Sequence, residues 1–262
     1  SDRRPVEHWT GLLLLFALVL FRIAGFLAFA TFLGSRNIPA VAKLVFAVCL
    51  SALVFPGLMR GGARAPDTLG DFVAFAAIET VVGIVFGFLS SLLFTGIQLG
   101  GQIIGNKMGF SMANSVDPFT EAEVTLVEEF KFFLAVFLFL VLGGHFLMVR
   151  GLCATYDAVP LGGARLDAAL WQELSAQFGM LFLAALQAAA PVAGAMFLVT
   201  LGMGFVSRAV PQVNIMMISF PVQITVGLVL IVVFLPVLAY VVARSVDRLD
   251  AGMATVTRLL IP

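Results

Sequence analysis

The sequence has few charged residues, few cysteines and few histidines, and each shortage excludes a class of protein. Only 11% of its 262 residues are charged, whereas a soluble domain carries roughly 25%. The formal net charge is zero, so the chain lacks the basic surplus of a nucleic-acid-binding protein. This composition favours a membrane environment over an aqueous one.

Side chains that carry catalysis or bind metals are also scarce. Cys49, Cys153, His8 and His145 are the only cysteines and histidines, and none stands at the spacing of a metal site. Each cysteine lies in an apolar run, where we expect a buried small hydrophobic residue. We therefore predict no catalytic residue, no metal site and no cofactor.

Apolar residues, by contrast, make up 61% of the chain and give it a mean hydropathy of +1.09. Six stretches have the length and composition of membrane helices. They cover residues 11–33, 39–59, 72–106, 132–149, 174–207 and 209–243. We predict an all-α membrane protein of about six long apolar helices, arranged as antiparallel hairpins.

Three of these stretches are too long for an ordinary membrane span. The stretch 72–106 has 35 residues, which as a helix measures roughly 52 Å, against a hydrocarbon core of about 30 Å. Such a helix either breaks or packs partly against protein outside the bilayer. The last two stretches contain prolines, among them Pro191, and predict a kinked helical hairpin with its turn at Arg208 and Pro211.

Glu79 is the carboxylate with the most apolar flanks in the sequence. An ionisable residue inside a membrane segment is a candidate functional site, and here it would be the coupling site of a secondary transporter. The alternative is a structural ion pair within the helix bundle, with Arg22 as the partner.

Gln98, Gln102 and Asn106 recur at a spacing of four residues, which places their side chains on one face of a helix. A polar face on an apolar helix either lines a pore or forms hydrogen bonds with other helices. The sequence leaves both possibilities open.

The loop at residues 107–119 interrupts the apolar path with glycine, asparagine and proline, yet it keeps several large apolar side chains. Methionine adapts to changing contact surfaces, so this loop has the character of a plug that closes a pore and yields to a passing chain. The alternative is a re-entrant loop packed on neighbouring helices. We assign the plug to Met108, Phe110, Met112, Asn114 and Val116.

Several motifs, in this order, resemble the FliR/SctT family of flagellar and virulence type III export proteins. They are Gly101-Gln102-Ile103-Ile104-Gly105, Lys107-Met108-Gly109-Phe110-Ser111, Val116-Asp117-Pro118, Gly143-Gly144-His145, Arg208-Ala209-Val210-Pro211-Gln212-Val213-Asn214-Ile215 and Phe220-Pro221. The resemblance extends over nearly the whole chain.

The resemblance implies a structural subunit of the type III protein-export gate, through which unfolded flagellar proteins cross the bacterial inner membrane at the flagellar basal body. It implies that residues 1–165 are similar to FliP and that residues 166–262 form a FliQ-like hairpin and tail. The implied partners are FliP, FliQ, FlhB and FlhA. It also implies that the loop after the third segment closes the channel. A flagellar protein is favoured over its virulence counterpart, and a secondary transporter is the more distant alternative.

Overall fold

A computed structural model describes residues 3–31, 39–60, 65–109, 126–210, 212 and 215–261, and within these ranges all regular structure is helical. Eight helices are present there. They are α1 (Arg3–Phe29), α2 (Ala40–Arg60), α3 (Leu69–Lys107), α4 (Leu126–Val141), α5 (Gly144–Ala158), α6 (Ala168–Ala209), α7 (Ile215–Val233) and α8 (Leu235–Leu259).

The predicted class, an all-α membrane protein, is confirmed. Four helices are long and apolar enough to cross a membrane, and the number rises to six if each of two bent helix pairs forms one span. These pairs are α4 with α5 and α7 with α8.

The two longest helices run without a break. Helix α3 has 39 residues and α6 has 42, so they measure about 58 Å and about 63 Å. Helix α6 passes through Pro191 as one element. The stretch 72–106 therefore does not break, and α3 is longer than the roughly 30 Å of a hydrocarbon core.

Two predicted helices are divided in the structure. The stretch 132–149 breaks at Leu142 and Gly143, where Gly143 has φ +73°, a backbone conformation that favours glycine. The stretch 209–243 breaks at Phe234, and Pro236 then lies in the first turn of α8, where proline is tolerated. Helix α8 also continues through a charged region to Leu259.

The cysteines differ from their prediction as buried residues. Cys49 is exposed and Cys153 is half-buried, and both thiols are free. Cys49 belongs to α2, whose most apolar window is only 17% buried within the chain. An apolar run on such a helix faces lipid or protein rather than the chain's own core.

The chain divides into two compact units. The first contains Ser1–Leu92, Gly143–Gln177 and Asp247–Pro262, and the second contains Leu93–Leu142 and Phe178–Val246. The two units are defined by contacts between residues of this chain alone. The resemblance of residues 1–165 to FliP and of residues 166–262 to FliQ stays a prediction.

In the first unit, α1 and α3 approach each other at glycines. A Cβ atom on Gly83 would clash with the carbonyl oxygen of Arg22 and would lie 2.8 Å from the backbone nitrogen of Phe26. A Cβ atom on Gly25 would lie 2.5 Å from the carbonyl oxygen of Thr80. Small residues at such a crossing let helix backbones approach closely, as is typical of membrane helices.

In the second unit, α3 packs against α6 and α4. A Cβ atom on Gly100 would lie 2.9 Å from the carbonyl oxygen of Ala185. The ring of Phe94 meets the rings of Phe132 and Phe139 edge-on, with centroids 6.0 Å and 5.1 Å away. These contacts place the last three turns of α3, and hence the start of the 107–119 loop, against a packed core.

Candidate functional site

An ion pair between Arg22 of α1 and Glu79 of α3 is the centre of a buried polar group in the first unit. Both side chains are fully buried. Arg22 Nε donates to Glu79 Oε2 at 2.5 Å, and Arg22 Nη2 donates to Oε1 at 3.0 Å. Two parallel N–H···O bonds are the strong geometry for an arginine and a carboxylate. The structure thus brings together the two charged residues that the sequence pairs.

Helix α5 and the turn after it complete this group. Arg22 Nη1 donates to Thr155 Oγ1 at 2.9 Å, and the Arg22 guanidinium lies over the ring of Tyr156, 4.3 Å from its centroid. The backbone N–H of Gly162 donates to Glu79 Oε1 at 2.9 Å. We call Arg22, Glu79, Thr155, Tyr156 and Gly162 the ion-pair cluster.

The charged groups of the ion-pair cluster form several hydrogen bonds within it. Both Glu79 oxygens accept an N–H from Arg22, and the Tyr156 hydroxyl donates to the carbonyl oxygen of Val19 at 3.0 Å. A buried charge is tolerated when its partners satisfy it in this way. Because the cluster joins α1, α3 and α5 and both carboxylate oxygens accept hydrogen bonds within it, its geometry fits helix packing better than ion coupling.

Met108, which the sequence assigns to the plug, lies in the core of the second unit. Its side chain is fully buried and packs with apolar residues of α3, α6 and α7, namely Ile104, Ala189, Val192, Met196 and Ile231. A side chain that seals a channel must project into it. Within the chain, packing holds Met108 beside the helices at the beginning of the loop, and its assignment to the plug stays a prediction.

The polar strip, Gln98, Gln102 and Asn106, runs along the last turns of α3. Gln102 and Asn106 are exposed, and Gln98 is half-buried. None of the three side-chain amides has a hydrogen-bond partner among the described residues. An amide on an apolar membrane helix needs a hydrogen-bond partner, which water or another polar group can provide.

The remaining predicted site residues are placed only in part. Phe110, Met112, Asn114, Val116 and Pro211 lie outside the described residues. Arg208 is exposed in the last turn of α6, where a cation interacts favourably with the helix dipole.

Two further polar side chains lie inside the helical units. The Nδ1 atom of His145, beside the break between α4 and α5, is buried and has no hydrogen-bond partner in the described part of the chain. Lys131 of α4 is only 4% exposed. Lys131 lines a cavity of about 10 Å³ that is otherwise apolar, which is room for roughly one water molecule. Among the described residues, no group of three or more His, Cys, Asp or Glu could hold a metal ion.

Sequence reasoning missed the partners of the ion-pair cluster and of Met108. Thr155 and Tyr156 lie at the polar end of α5 and Gly162 lies in the turn after it, where the pattern indicates a solvent-exposed connection. Gly227 of α7 contacts Met108, and no sequence signal distinguishes it from other glycines in apolar helices. Lys131 directly precedes an apolar run, which is typical of a lysine whose long stem reaches the membrane surface.

These features define a class: an integral membrane protein of long apolar helices, with a buried internal ion pair and a polar strip that ends where the 107–119 loop begins. The sequence profile of "Bacterial export proteins, family 1" matches residues 13–249. The chain belongs to this family of bacterial export proteins.

Individual relatives are similar in sequence to this chain over most of their length. Flagellar biosynthetic protein FliR of Bacillus subtilis (strain 168) is 31% identical over 237 residues, which cover 89% of this chain and 90% of the relative. FliR of Escherichia coli (strain K12) is 29% identical over 234 residues, 89% of this chain and 88% of the relative. FliR of Borreliella burgdorferi is 28% identical over 255 residues, 92% and 91% of the two chains. The chain is accordingly a membrane component of bacterial flagellar export.

Proposed function

We propose that the chain is a structural, non-enzymatic subunit of the flagellar protein-export gate and forms part of the channel core in the bacterial inner membrane. Unfolded flagellar proteins would pass through this core at the flagellar basal body. FliP and FliQ would surround the chain, with FlhB and FlhA beside them. The loop at 107–119 would help to close the channel between export events.

The observation that carries this proposal is the polar strip on α3. Gln102 and Asn106 are exposed and lack a partner among the described residues, although most of α3 is apolar. Amides in this position are costly against lipid, but they are satisfied along a water-filled passage. The strip ends at Asn106, and the loop begins at the next residue, Lys107, so a passage along the strip leads directly to the loop.

The plug is best assigned to the loop residues that follow the buried Met108. We therefore propose that Phe110, Met112, Asn114 and Val116 close the passage and that Met108 holds their position. A methionine and phenylalanine surface suits this role, because it forms a seal that repacks when a polypeptide passes.

The lengths of α3 and α6 support a subunit role. At about 58 Å and about 63 Å they exceed the hydrocarbon core of about 30 Å, so part of each apolar surface needs cover from other proteins. We propose that residues 1–165 occupy a FliP-like position and residues 166–262 a FliQ-like position in a shared assembly.

A secondary transporter with Glu79 as its coupling site is less well supported. Coupling requires a carboxylate that exchanges a proton or an ion, whereas both Glu79 oxygens are engaged by Arg22 and one also by Gly162. The similarity to FliR favours flagellar export over a virulence system as well.

A loop variant tests the plug. Residues 110–114 are replaced by five glycines in cells that lack the native chain, and ion entry is followed with an ion-sensitive dye. We expect the gate to assemble and to become leaky, because the apolar seal is lost while the helices remain. Co-purification with FliP and FliQ monitors assembly, and an assembled variant that stays tight would refute the plug.

A further inference from the structure

Gly227 of α7 forms a notch that the side chain of Met108 fills. A Cβ atom at position 227 would lie 2.5 Å from both Cγ and Cε of Met108 and 2.8 Å from its Sδ. Real Cβ atoms essentially never approach other heavy atoms below 3.0 Å. The close contact therefore requires glycine at 227 for as long as Met108 occupies this position.

The next residue of the loop base also contacts α7. Gly109 has φ +86°, which favours glycine. A Cβ atom on it would lie 3.1 Å from Gln223 Oε1 and 3.5 Å from a ring carbon of Phe220. Phe220, Gln223 and Gly227 are three and four residues apart and so share one face of α7. This face holds two consecutive residues of the chain, Met108 and Gly109.

The loop base is fixed from its own helix as well. The backbone N–H of Met108 donates to the carbonyl oxygen of Ile104 at 3.0 Å, and that of Gly109 donates to the carbonyl oxygen of Asn106 at 3.3 Å. The Met108 side chain is fully buried. The chain is thus held in a defined position up to Gly109, directly before Phe110, the first proposed plug residue.

We propose that Met108, Gly109, Phe220, Gln223 and Gly227 form a loop anchor, through which α7 positions the plug and keeps the gate closed. This inference rests on the proposed function, since the anchor needs a plug to position. Met108 and Gly227 are positioning residues: they do not seal the channel, but their contact determines where the sealing residues begin.

The anchor predicts an effect of a single methyl group. Gly227→Ala overpacks the notch and displaces Met108, whereas Gly194→Ala on α6 adds the same methyl group where nothing lies within 4 Å. Overpacking of this kind shifts a two-state equilibrium by roughly 5- to 150-fold. We expect ion leakage through assembled Gly227→Ala gates to rise within that range, and Gly194→Ala gates to stay as tight as wild type.

A double variant distinguishes a specific effect on the loop anchor from general damage to the fold. Met108→Ala removes the atoms that meet the new methyl group, so Gly227→Ala with Met108→Ala is expected to leak less than Gly227→Ala alone. Coupling of this sign is expected of residues in direct contact. Met108→Ala alone is expected to leak with assembly intact, which keeps the test decisive if Gly227→Ala fails to assemble.

The glycine replacement of residues 110–114 is measured in parallel. If it leaks while both Met108→Ala and Gly227→Ala gates stay tight, the anchor is refuted and the plug stands. Leakage of the double variant equal to the combined effects of the single variants would also refute the anchor. If assembled gates with the loop replacement do not leak ions, the plug is refuted, and the anchor is refuted with it.

Discussion

Arg22 and Glu79 place two full charges where their side chains have no contact with solvent. Removing such groups from water costs several kcal/mol each, and their attraction compensates only when geometry and additional hydrogen bonds are good. The two parallel bonds between Arg22 and Glu79 provide the good geometry. The additional hydrogen bonds come from the Thr155 hydroxyl, which accepts from Arg22, and from the Gly162 N–H, which donates to Glu79. The pair is consequently more sensitive to the loss of one partner than to the loss of both.

We predict that Glu79→Leu destabilises the protein by about 3–5 kcal/mol, because it leaves the Arg22 guanidinium buried without a counter-charge. Adding Arg22→Leu should recover much of this loss. It should not recover all of it, because the Gly162 N–H loses its acceptor, which costs about 1–3 kcal/mol. Thermal unfolding of the purified complex in detergent measures both effects.

Asp157→Asn serves as the matched control for the Glu79 series. Asp157 is an exposed carboxylate on α5, one helical turn or less from Thr155 and Tyr156, and its replacement should change stability by less than about 1 kcal/mol. An unchanged melting temperature for Glu79→Leu would show that the ion pair contributes nothing to packing.

Sequence reasoning identifies Arg22 and Glu79 because a charge is conspicuous inside an apolar segment. It cannot identify Thr155, Tyr156 or Gly162, because their roles depend on the way α5 folds back toward α1 and α3. Contacts between residues 57 and 133 positions apart, such as those of Arg22 with Glu79 and Thr155, leave no local pattern.

At the scale of helices, the crossing of α1 and α3 depends on glycines rather than on complementary large side chains. At Gly83 and Gly25 the partner helix backbone occupies the space of a Cβ atom. The same close approach brings Arg22 within reach of Glu79, which lies one turn before Gly83. The helix crossing and the ion pair therefore depend on each other.

We predict opposite effects for two identical substitutions. Gly83→Ala forces α1 and α3 apart and should cost about 1–3 kcal/mol through overpacking. Gly57→Ala in α2, where nothing lies within 4 Å, should be neutral or stabilise by up to about 1 kcal/mol, since alanine is the better helix former. The melting temperatures of the two variants in detergent provide the comparison, and similar values would argue against a close helix crossing.

The runs of apolar residues in the sequence predict where helices exist but not where they break. The double glycine at 143 and 144 marks the end of α4, but glycine pairs also occur inside unbroken helices, as Gly100 and Gly101 do in α3. Pro191 lies within the unbroken α6, whereas Pro236 follows a break. A proline therefore does not by itself determine whether a helix breaks. Tertiary packing at each site selects between the two outcomes.

At the scale of the whole chain, apolar surface is distributed over the outside of the helices as well as their inside. The most apolar window of α6 is only 28% buried and that of α2 only 17%. Phenylalanines of α6 are strongly exposed, among them Phe182 at 53%, Phe197 at 55% and Phe205 at 72%. Lipid can cover such faces only within about 30 Å of hydrocarbon, and α6 is about twice that length.

The isolated chain should accordingly be poorly stable. Apolar patches larger than a few hundred Å² mark surfaces that bind other proteins or membranes, and mild detergent replaces lipid but not a neighbouring helix. We predict that the chain expressed alone aggregates or is degraded. Expressed with FliP and FliQ of the same bacterium, it should purify in a complex whose mass, measured by native mass spectrometry, includes several smaller helical subunits.

Expression together with an unrelated helical membrane protein provides the control, because general protection by added membrane protein would stabilise the chain there too. A monodisperse monomer obtained without partners would show that detergent alone satisfies the exposed faces of α2 and α6. The subunit role would then lose its physical basis, since the overlong helices would need no protein cover. Stabilisation by FliP and FliQ, but not by the unrelated protein, would instead mean that these faces bind particular partner subunits. The polar strip of α3 would then find its hydrogen-bond partners only when the complex assembles.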